Sequence, residues 1–148
     1  MTAPRVFGVR DAQQTYRERR AAYAVILDDN GRVACVAEES GLFLPGGGLE
    51  PGEDSLQALH REVAEECART IEIIAPLDPA IQYFHTIRGE PYVLLADFFL
   101  ARFTGELDRQ AQHELSWRVV STDPPFYHEC HRWTVARVNG VSVNPSES

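Results

Sequence analysis

Three carboxylate side chains recur on one short stretch, at a spacing that a helix would bring onto one face. Glu62, Glu65 and Glu66 stand at positions i, i+3 and i+4, and residues 54–68 have the apolar periodicity of an amphipathic helix. Neighbouring like charges on a helix repel one another by about 0.2–0.5 kcal/mol per pair, and a bound cation would offset this cost. Clustered carboxylate oxygens suit Mg²⁺ or Mn²⁺ better than zinc. The alternative is an acidic, solvated helix face that binds nothing.

Glycines and an arginine beside this stretch would complete such a site. Residues 46–48 are all glycine, so their backbone could approach a ligand closely and offer N–H or C=O groups to a phosphate or a metal. Arg61 directly precedes the carboxylates and could hold Glu53 or Glu62 through a bidentate contact. A glycine cluster before a helix is also typical of an ordinary turn, so the prediction depends on the joint spacing.

The joint spacing matches a known motif. The run Gly47-x5-Glu53-x7-Arg61-Glu62-Val63-x-Glu65-Glu66 fits the Nudix box, which here covers Gly47–Arg69. The chain therefore resembles the Nudix hydrolases, and MutT-like members in particular. The resemblance implies an α/β fold, a Nudix-type α/β/α sandwich with a mixed β-sheet. It also implies Mg²⁺- or Mn²⁺-dependent hydrolysis of a pyrophosphate bond in a nucleoside diphosphate linked to another group.

The same resemblance assigns roles to individual residues. Four groups would hold the metal: the Gly46 carbonyl and the carboxylates of Glu62, Glu65 and Glu66. Glu62 is the first candidate for the general base, and Arg61 would orient it. Gly47 and Glu53 would support the site, Glu53 as a structural or outer metal partner.

Polar residues outside the box are less specific. Glu114 is a second candidate for the general base or a further metal ligand, because some relatives take one from a loop in this region. An exposed loop glutamate is the equal alternative, and the neighbouring His113 is interpreted as incidental. His128, Cys130 and His131 lie close together, but no second Cys/His cluster has matching spacing, which favours a closing helix over a zinc site.

One departure from the box concerns the end of its helix. Ala68 and Arg69 stand where the family has a glycine followed by an aliphatic residue. That glycine normally ends the helix in the left-handed region, where alanine costs roughly 1 kcal/mol or the cap geometry shifts. The carboxylates and Arg61 are untouched, so the sequence still predicts activity.

The elements that must position these residues follow from periodicity and turn signals. Strands are predicted over residues 21–27, 32–37, 42–44, 71–74, 83–87, 92–103 and 115–120, and helices over 54–68 and 126–138. Asn30-Gly31 predicts a hairpin with a type I′ turn, in which both residues have positive φ. We expect a single Nudix domain over residues 21–138, an N-terminal edge strand or flexible segment over 1–20, and a tail over 139–148.

Composition and charge exclude several classes of protein. The 148 residues suffice for one domain, and 44% hydrophobic with 24% charged residues is typical of a soluble globular protein. The net charge of −8 argues against stable nucleic-acid binding and against docking on an anionic membrane. No membrane span or signal peptide is evident and the three cysteines form no disulfide framework, which favours a cytoplasmic protein. A homodimer through the N-terminal segment is compatible with the sequence, which does not show one.

The substrate is the least specified part of the prediction. Phe43, Tyr83, Phe84 and Tyr127 could line a nucleobase pocket, and no other substrate-binding residue is assigned. A short member without subfamily markers most resembles the hydrolases of nucleoside tri- or diphosphates, which include sanitising enzymes. The alternatives are a nucleotide-sugar or dinucleoside polyphosphate hydrolase, or a non-catalytic nucleotide-sensing module. The intact Arg61 and carboxylate set counts against the sensing module.

Overall fold

Two β-sheets and two α-helices make up residues 3–138, the part of the chain that the computed structural model describes. In chain order the elements are β1 (Arg5–Phe7), β2 (Arg17–Ile26), β3 (Arg32–Glu38), β4 (Gly41–Phe43), β5 (Gly46–Gly48), α1 (Ser55–Cys67), β6 (Arg69–Pro76), β7 (Ala80–His85), β8 (Pro91–Glu106), β9 (Leu115–Val119), a 3₁₀ turn (Val120–Thr122) and α2 (Glu129–Val138). The tail expected over residues 139–148 lies outside the described residues.

The larger sheet is mixed, and β2 and β8 lie side by side within it. Its strand order is β1-β7-β8-β2-β5, and β6 pairs with the second half of β8. β2 runs parallel to β8 and β1 parallel to β7, whereas the other pairs are antiparallel. A smaller antiparallel sheet has the order β4-β3-β9.

Strand β2 is covered on both faces by helices. Its second half, residues 21–26, is fully buried, and side chains on a strand alternate between the two faces. The even-numbered residues pack in the core that contains Leu59 and Val63 of α1. The odd-numbered residues pack in the core that contains Cys130 and Val135 of α2. The predicted α/β/α sandwich with a mixed sheet is therefore confirmed.

Helix α1 begins and ends close to the predicted bounds. The Asp54 carboxylate accepts a hydrogen bond from the Gln57 backbone N–H at 2.8 Å, and the Gln57 side chain accepts one from the Asp54 N–H at 2.9 Å. This capping box satisfies backbone donors that a helix start leaves free. At the other end Ala68 adopts φ 54° and ψ 42°, and its N–H donates to the Ala64 carbonyl. The left-handed cap is kept although no glycine is present.

The hairpin between β2 and β3 forms, but the predicted type I′ turn is wrong. Gly31 has a φ of 74°, whereas Asn30 does not have a positive φ. The Asp28 carboxylate accepts hydrogen bonds from the N–H groups of Asn30 and Arg32 at 2.9 and 2.8 Å, which holds a loop longer than two residues. Such a loop, ending in a left-handed glycine, needs only one positive φ.

The glycines at 46–48 form a strand and not the turn that is typical of a glycine cluster before a helix. β5 pairs antiparallel with β2, and Gly46 stands opposite Tyr23. A Cβ built on Gly46 would lie 2.1 Å from the Ala22 carbonyl oxygen, so only glycine allows the two backbones to approach this closely. The glycines therefore bring β5 next to β2 as well as next to α1.

The N-terminal segment contains one strand and the start of another. β1 lies at the edge of the larger sheet, beside β7. β2 begins at Arg17 and not at residue 21, because its parallel pairing with β8 starts there, opposite Tyr92. Hydrophobic periodicity does not reveal either one, since β1 has three residues and residues 17–20 are exposed and all charged.

Candidate active site

Helix α1 lies against β5, which brings the carboxylate face of the helix onto the glycines. Glu66 is only 3% exposed, and its Oε1 accepts a hydrogen bond from the Gly46 N–H at 2.8 Å. Burial raises the pKa of Glu66 to about 8; the Gly46 N–H opposes this shift, and the charges of Glu62, Glu38 and Glu65 add to it. A positive charge placed here would stabilise the ionised carboxylate.

Arg61 connects the helix, the preceding loop and β5. Its Nε and Nη2 donate to the two carboxylate oxygens of Glu53 at 2.7 and 2.9 Å, and Nη2 also donates to the Gly48 carbonyl at 3.0 Å. Its Nη1 donates to Glu62 at 2.9 Å and to Glu65 at 3.2 Å. Hydrogen bonding from Arg61 lowers the pKa of Glu53 to about 2, so this carboxylate stays ionised. The arginine thus fixes three of the box glutamates.

Gly47 leaves room for the Glu62 carboxylate. A Cβ built on Gly47 would lie 2.7 Å from the Glu62 Cδ, so a side chain at this position would displace the carboxyl group. Burial raises the pKa of Glu62, although the hydrogen bond and charge of Arg61 oppose the shift. The result is a half-buried carboxylate held from one side by Arg61 and resting on bare backbone.

A cavity of about 510 Å³ opens beside these groups. One side of it, here termed the carboxylate wall, consists of Glu38, Glu62, Glu66 and His113. Another side, here termed the aromatic wall, consists of Phe43, Phe84, Tyr92 and Tyr127, whose rings contact one another. The volume lies within the range of small-molecule sites.

Arg19 and His128 also line this cavity. The Arg19 charge acts both on Glu62 of the carboxylate wall and on His128, whose ring centroid lies 4.6 Å from that of Phe84 in the aromatic wall. Burial, with a smaller contribution from Arg19, lowers the pKa of His128 to about 4. The imidazole of His128 is therefore neutral near pH 7.

The structure brings only some of the predicted site residues to the cavity. Of the predicted metal ligands, Gly46, Glu62 and Glu66 line it, whereas Glu65 lies outside its lining. Glu114 is exposed and, within residues 3–138, is not part of the lining either. Of the two candidates for the general base, only Glu62 borders the cavity.

Three of the four aromatic residues predicted to line a nucleobase pocket lie at the cavity, and the fourth, Tyr83, does not. Phe43, Phe84 and Tyr127 line the cavity. The Tyr83 ring instead packs edge-on against Tyr16, with 5.2 Å between ring centroids, because neighbouring residues on β7 point to opposite faces. Tyr92 is the member that the sequence did not suggest; it stands opposite Phe84 in the β7–β8 pair, with 5.8 Å between the two rings.

Two residues of the carboxylate wall were not expected there: sequence reasoning missed Glu38 and interpreted His113 as incidental. Each of them, together with Glu66, offers a ligand atom, and the three atoms lie within 4.8 Å of one another. Glu38 ends β3 and His113 precedes β9, so the pairing of these two strands brings both residues to the same place. No local pattern marks either residue, since the contact depends on the pairing of distant strands.

The residues near the start of α2 do not form a metal cluster in the described part of the chain. Cys130 and His131 are fully buried, and the Nδ1 of His131 accepts a hydrogen bond from the Leu44 N–H at 3.2 Å. His128 contributes to the cavity instead. The closing helix favoured over a zinc site is present as α2.

The family model of the NUDIX domain matches residues 17–133. A MutT NUDIX hydrolase from Burkholderia pseudomallei has 27% sequence identity and a TM-score of 0.65, covering 82% of this chain and 98% of that one. An ADP-ribose pyrophosphatase from Streptococcus suis shares the fold at 18% identity, with a TM-score of 0.63 over 86% of this chain and 93% of that one. The nucleoside triphosphatase NudI from Enterobacter sp. (strain 638) is 37% identical over 65 residues, which is 40% of this chain and less than half, 46%, of that relative.

The α/β/α sandwich, with Gly47, Glu62 and Glu66 of the box lining one cavity, defines an α/β protein with a carboxylate-lined site. The chain belongs to the NUDIX family, and the assignment as a Nudix hydrolase that the motif implied is confirmed. Within residues 3–138, neither helix has the length and apolar character needed to cross a membrane.

Proposed function

We propose that the chain hydrolyses a phosphoanhydride bond in a nucleoside tri- or diphosphate, with Mg²⁺ or Mn²⁺ as cofactor. The observation that carries this proposal is that one cavity joins the carboxylate wall to the aromatic wall. Such a cavity suits both halves of a nucleotide, since aromatic rings stack on a base and carboxylates hold a cation that binds phosphates. The relative NudI, 37% identical over 65 residues, is named a nucleoside triphosphatase, which supports this substrate class.

The donor atoms of the carboxylate wall fit a hard divalent cation. Oxygen ligands are those that Mg²⁺ and Mn²⁺ prefer, and the raised pKa of Glu66, about 8, is the consequence of burial without sufficient counter-charge. We expect Glu62, Glu65 and Glu66, with the Gly46 carbonyl, to hold the cation. When bound, it would neutralise charge on the phosphate oxygens and lower the pKa of a water molecule.

Glu62 is the general base in this proposal, and Arg61 positions it. The hydrogen bond of 2.9 Å from the Arg61 Nη1 to the Glu62 Oε1 holds the carboxylate at the cavity wall. Because burial raises the pKa of Glu62, its carboxylate accepts a proton more readily than an exposed one. Glu62 would take a proton from the attacking water while the P–O bond of the anhydride breaks. The exposure of Glu114 outside the cavity lining favours Glu62 over it.

The aromatic wall and Arg19 would bind the remainder of the nucleotide. Phe84 and Tyr92 lie stacked, with 5.8 Å between ring centroids and 29° between planes, which offers an apolar surface for a base. The guanidinium of Arg19 lines the same cavity and suits a phosphate, because its planar donors match phosphate oxygens. The substrate would thus lie across the cavity, with its reacting phosphates at Glu62 and Glu66.

The proposal is tested by metal-dependent hydrolysis across a nucleotide panel, with products separated by chromatography. The panel contains unmodified and oxidised nucleoside triphosphates, diphosphates, ADP-ribose, nucleotide sugars and dinucleoside polyphosphates. We expect turnover of the nucleoside tri- or diphosphates, and we expect Glu62→Gln and Glu66→Gln each to lower kcat by at least about 100-fold. Glu114→Gln is the matched control and should keep activity close to that of the unaltered chain.

Three outcomes would change the proposal. Turnover confined to nucleotide sugars or dinucleoside polyphosphates would replace the substrate class. Metal-dependent nucleotide binding without turnover of any compound would identify a sensing module. Loss of activity in Glu114→Gln as large as that in Glu62→Gln would contradict the assignment of Glu62 as the base.

A further inference from the structure

We propose that His113 supplies a nitrogen ligand to the cation held by Glu66, and that Glu38 supplies a further carboxylate. The resulting site binds Mn²⁺ and the later transition ions in preference to Mg²⁺. This inference deepens the proposed function, because it concerns the cation at the same carboxylate wall. It adds two residues from outside the box and a change in metal selectivity.

The three side chains have the spacing of ligands around one ion. Their ligand atoms all lie within 4.8 Å of one another, and the Glu38 Oε1 lies 3.5 Å from the His113 Nε2. Two atoms bound to the same octahedral ion at about 2.1 Å are about 3 to 4.2 Å apart. A distance of 3.5 Å is longer than a good hydrogen bond, but it is the separation of neighbouring ligands.

The backbone fixes His113 at this place. The loop before β9 donates three hydrogen bonds to carbonyls at the end of α1: Leu107 to Ala68 at 2.8 Å, Gln112 to Glu65 at 3.0 Å and His113 to Glu66 at 3.1 Å. Carbonyls in the last turn of a helix lack partners within the helix, so this loop supplements the left-handed cap at Ala68. The docking places the His113 side chain beside Glu66 irrespective of any bound ion.

Glu66 contributes the buried carboxylate of the three-residue cluster. Glu66 is only 3% exposed, and one of its carboxylate oxygens accepts a hydrogen bond from the Gly46 N–H. Within the described residues the other oxygen accepts no hydrogen bond, although the side chain lines the cavity. A buried carboxylate with one oxygen that accepts no hydrogen bond, clustered with an imidazole and a second carboxylate, is an arrangement that a cation completes.

The donor types determine which cation is preferred. Imidazole nitrogen suits Mn²⁺, Co²⁺ and Zn²⁺ better than Mg²⁺, which prefers oxygen ligands and keeps several waters. Replacing the nitrogen should therefore weaken the binding of Mn²⁺ more than that of Mg²⁺. A site built only from glutamates would show no such difference.

The test is electron spin echo envelope modulation of substoichiometric Mn²⁺ added to the metal-free full chain, which detects ¹⁴N bound to the ion. We expect ¹⁴N modulation in the unaltered chain and its loss in His113→Gln. The matched control is His60→Gln, which changes an exposed histidine on α1 and should leave the modulation intact. We also expect the Kd for Mn²⁺ to rise at least about tenfold in His113→Gln, and the Kd for Mg²⁺ to rise less.

Glu38 is tested by titration of bound Mn²⁺. Glu38→Gln should weaken Mn²⁺ binding. Glu39→Gln removes an equal charge from the next residue, which also lines the cavity but is not part of the three-residue cluster, and should not weaken it. Circular dichroism of each variant checks that the fold is kept. Equal weakening of Mn²⁺ binding in the two variants would show that Glu38 acts only through its charge, and would contradict its role as a ligand.

The inference and the proposed function fail in different ways. Absence of ¹⁴N modulation in the unaltered chain, absence of bound Mn²⁺, or persistence of the modulation in His113→Gln would overturn the inference, even if nucleotides are hydrolysed. Inactivity toward every nucleotide would overturn the proposed function, even if the ¹⁴N signal is present and depends on His113.

Discussion

The guanidinium of Arg61 donates hydrogen bonds to three glutamates and to the Gly48 carbonyl, so it connects the helix with the strand beside it. Its bond to Glu53 uses both oxygens of that carboxylate, which only a planar, forked donor can do. A lysine would keep the positive charge but provide a single point of contact. The function of Arg61 is therefore geometric as much as electrostatic.

We predict that Arg61→Lys lowers kcat by about 10- to 100-fold, because Glu62 loses the donor that orients it. Steady-state kinetics with the nucleotide that is turned over would measure this. Arg102→Lys serves as the control, since Arg102 pairs with Glu72 on the surface and both are more than half exposed. Activity of Arg61→Lys within twofold of the unaltered chain would show that charge alone is sufficient.

The contact between β5 and α1 sets the position of Glu62. We predict that Gly47→Ala folds normally but loses at least about tenfold in kcat, because the new Cβ displaces the end of a flexible side chain, that of Glu62. We expect a different result for Gly46→Ala, because Gly46 has a φ of 139° and a Cβ at this position would clash with the Ala22 carbonyl. The Gly46→Ala variant should fail to fold, as judged by circular dichroism and solubility. Full activity of Gly47→Ala would contradict the prediction, because it would mean that Glu62 tolerates displacement.

The end of α1 retains backbone strain at Ala68. We predict that Ala68→Gly stabilises the chain by about 1 kcal/mol, because glycine adopts the left-handed conformation without the penalty of a Cβ. Ala64→Gly, in the interior of the same helix, should destabilise it by about 1 kcal/mol. Urea unfolding of both variants measures the change in the free energy of unfolding, which should be positive for Ala68→Gly and negative for Ala64→Gly. A decrease in both variants would contradict the presence of strain at Ala68.

The bounds of α1 could be predicted closely from the sequence, because the residues that start, pattern and end this helix lie within or next to it. The capping box of Asp54 and Gln57, the apolar periodicity and the carboxylate spacing are all short-range features. β5 was not predicted, because three glycines have no periodicity and become a strand only by pairing with β2. For a related reason the sequence does not reveal Glu38 and leaves His113 with no assigned role, since only the pairing of β3 with β9 brings them together.

Across the whole molecule, buried titratable groups change the pH dependence of stability in opposite directions. Between its ordinary value of 4.5 and its folded pKa of about 8, Glu66 holds a proton that the unfolded chain has released, so stability falls as pH rises. Burial lowers the pKa of His128 to about 4 and that of His131 below its ordinary 6.5, so the unfolded chain binds more protons below pH 6.5. For these two groups stability rises with pH up to about 6.5.

We predict that the metal-free chain is most stable close to pH 6.5, with lower unfolding free energy at about pH 5 and about pH 8. Urea unfolding in the presence of EDTA would measure the profile. Glu66→Gln should remove the decline above pH 6.5 and keep the decline below it. Added Mn²⁺ should also reduce the decline at high pH, since a cation favours the ionised carboxylate. A decline at high pH that persists in Glu66→Gln would assign it to another group.

Strand β8 has consequences for when the site can form during synthesis. It is the parallel neighbour of β2, and the paired residues Arg17 and Tyr92 are 75 positions apart in the chain. Pairings between such distant segments form slowly, because a long stretch must be closed before any contact is gained. A nascent chain that ends before Pro91 already contains every residue of the box but lacks the strand against which β2 must lie. The chain therefore acquires the carboxylates of the box early and the sheet that arranges them late.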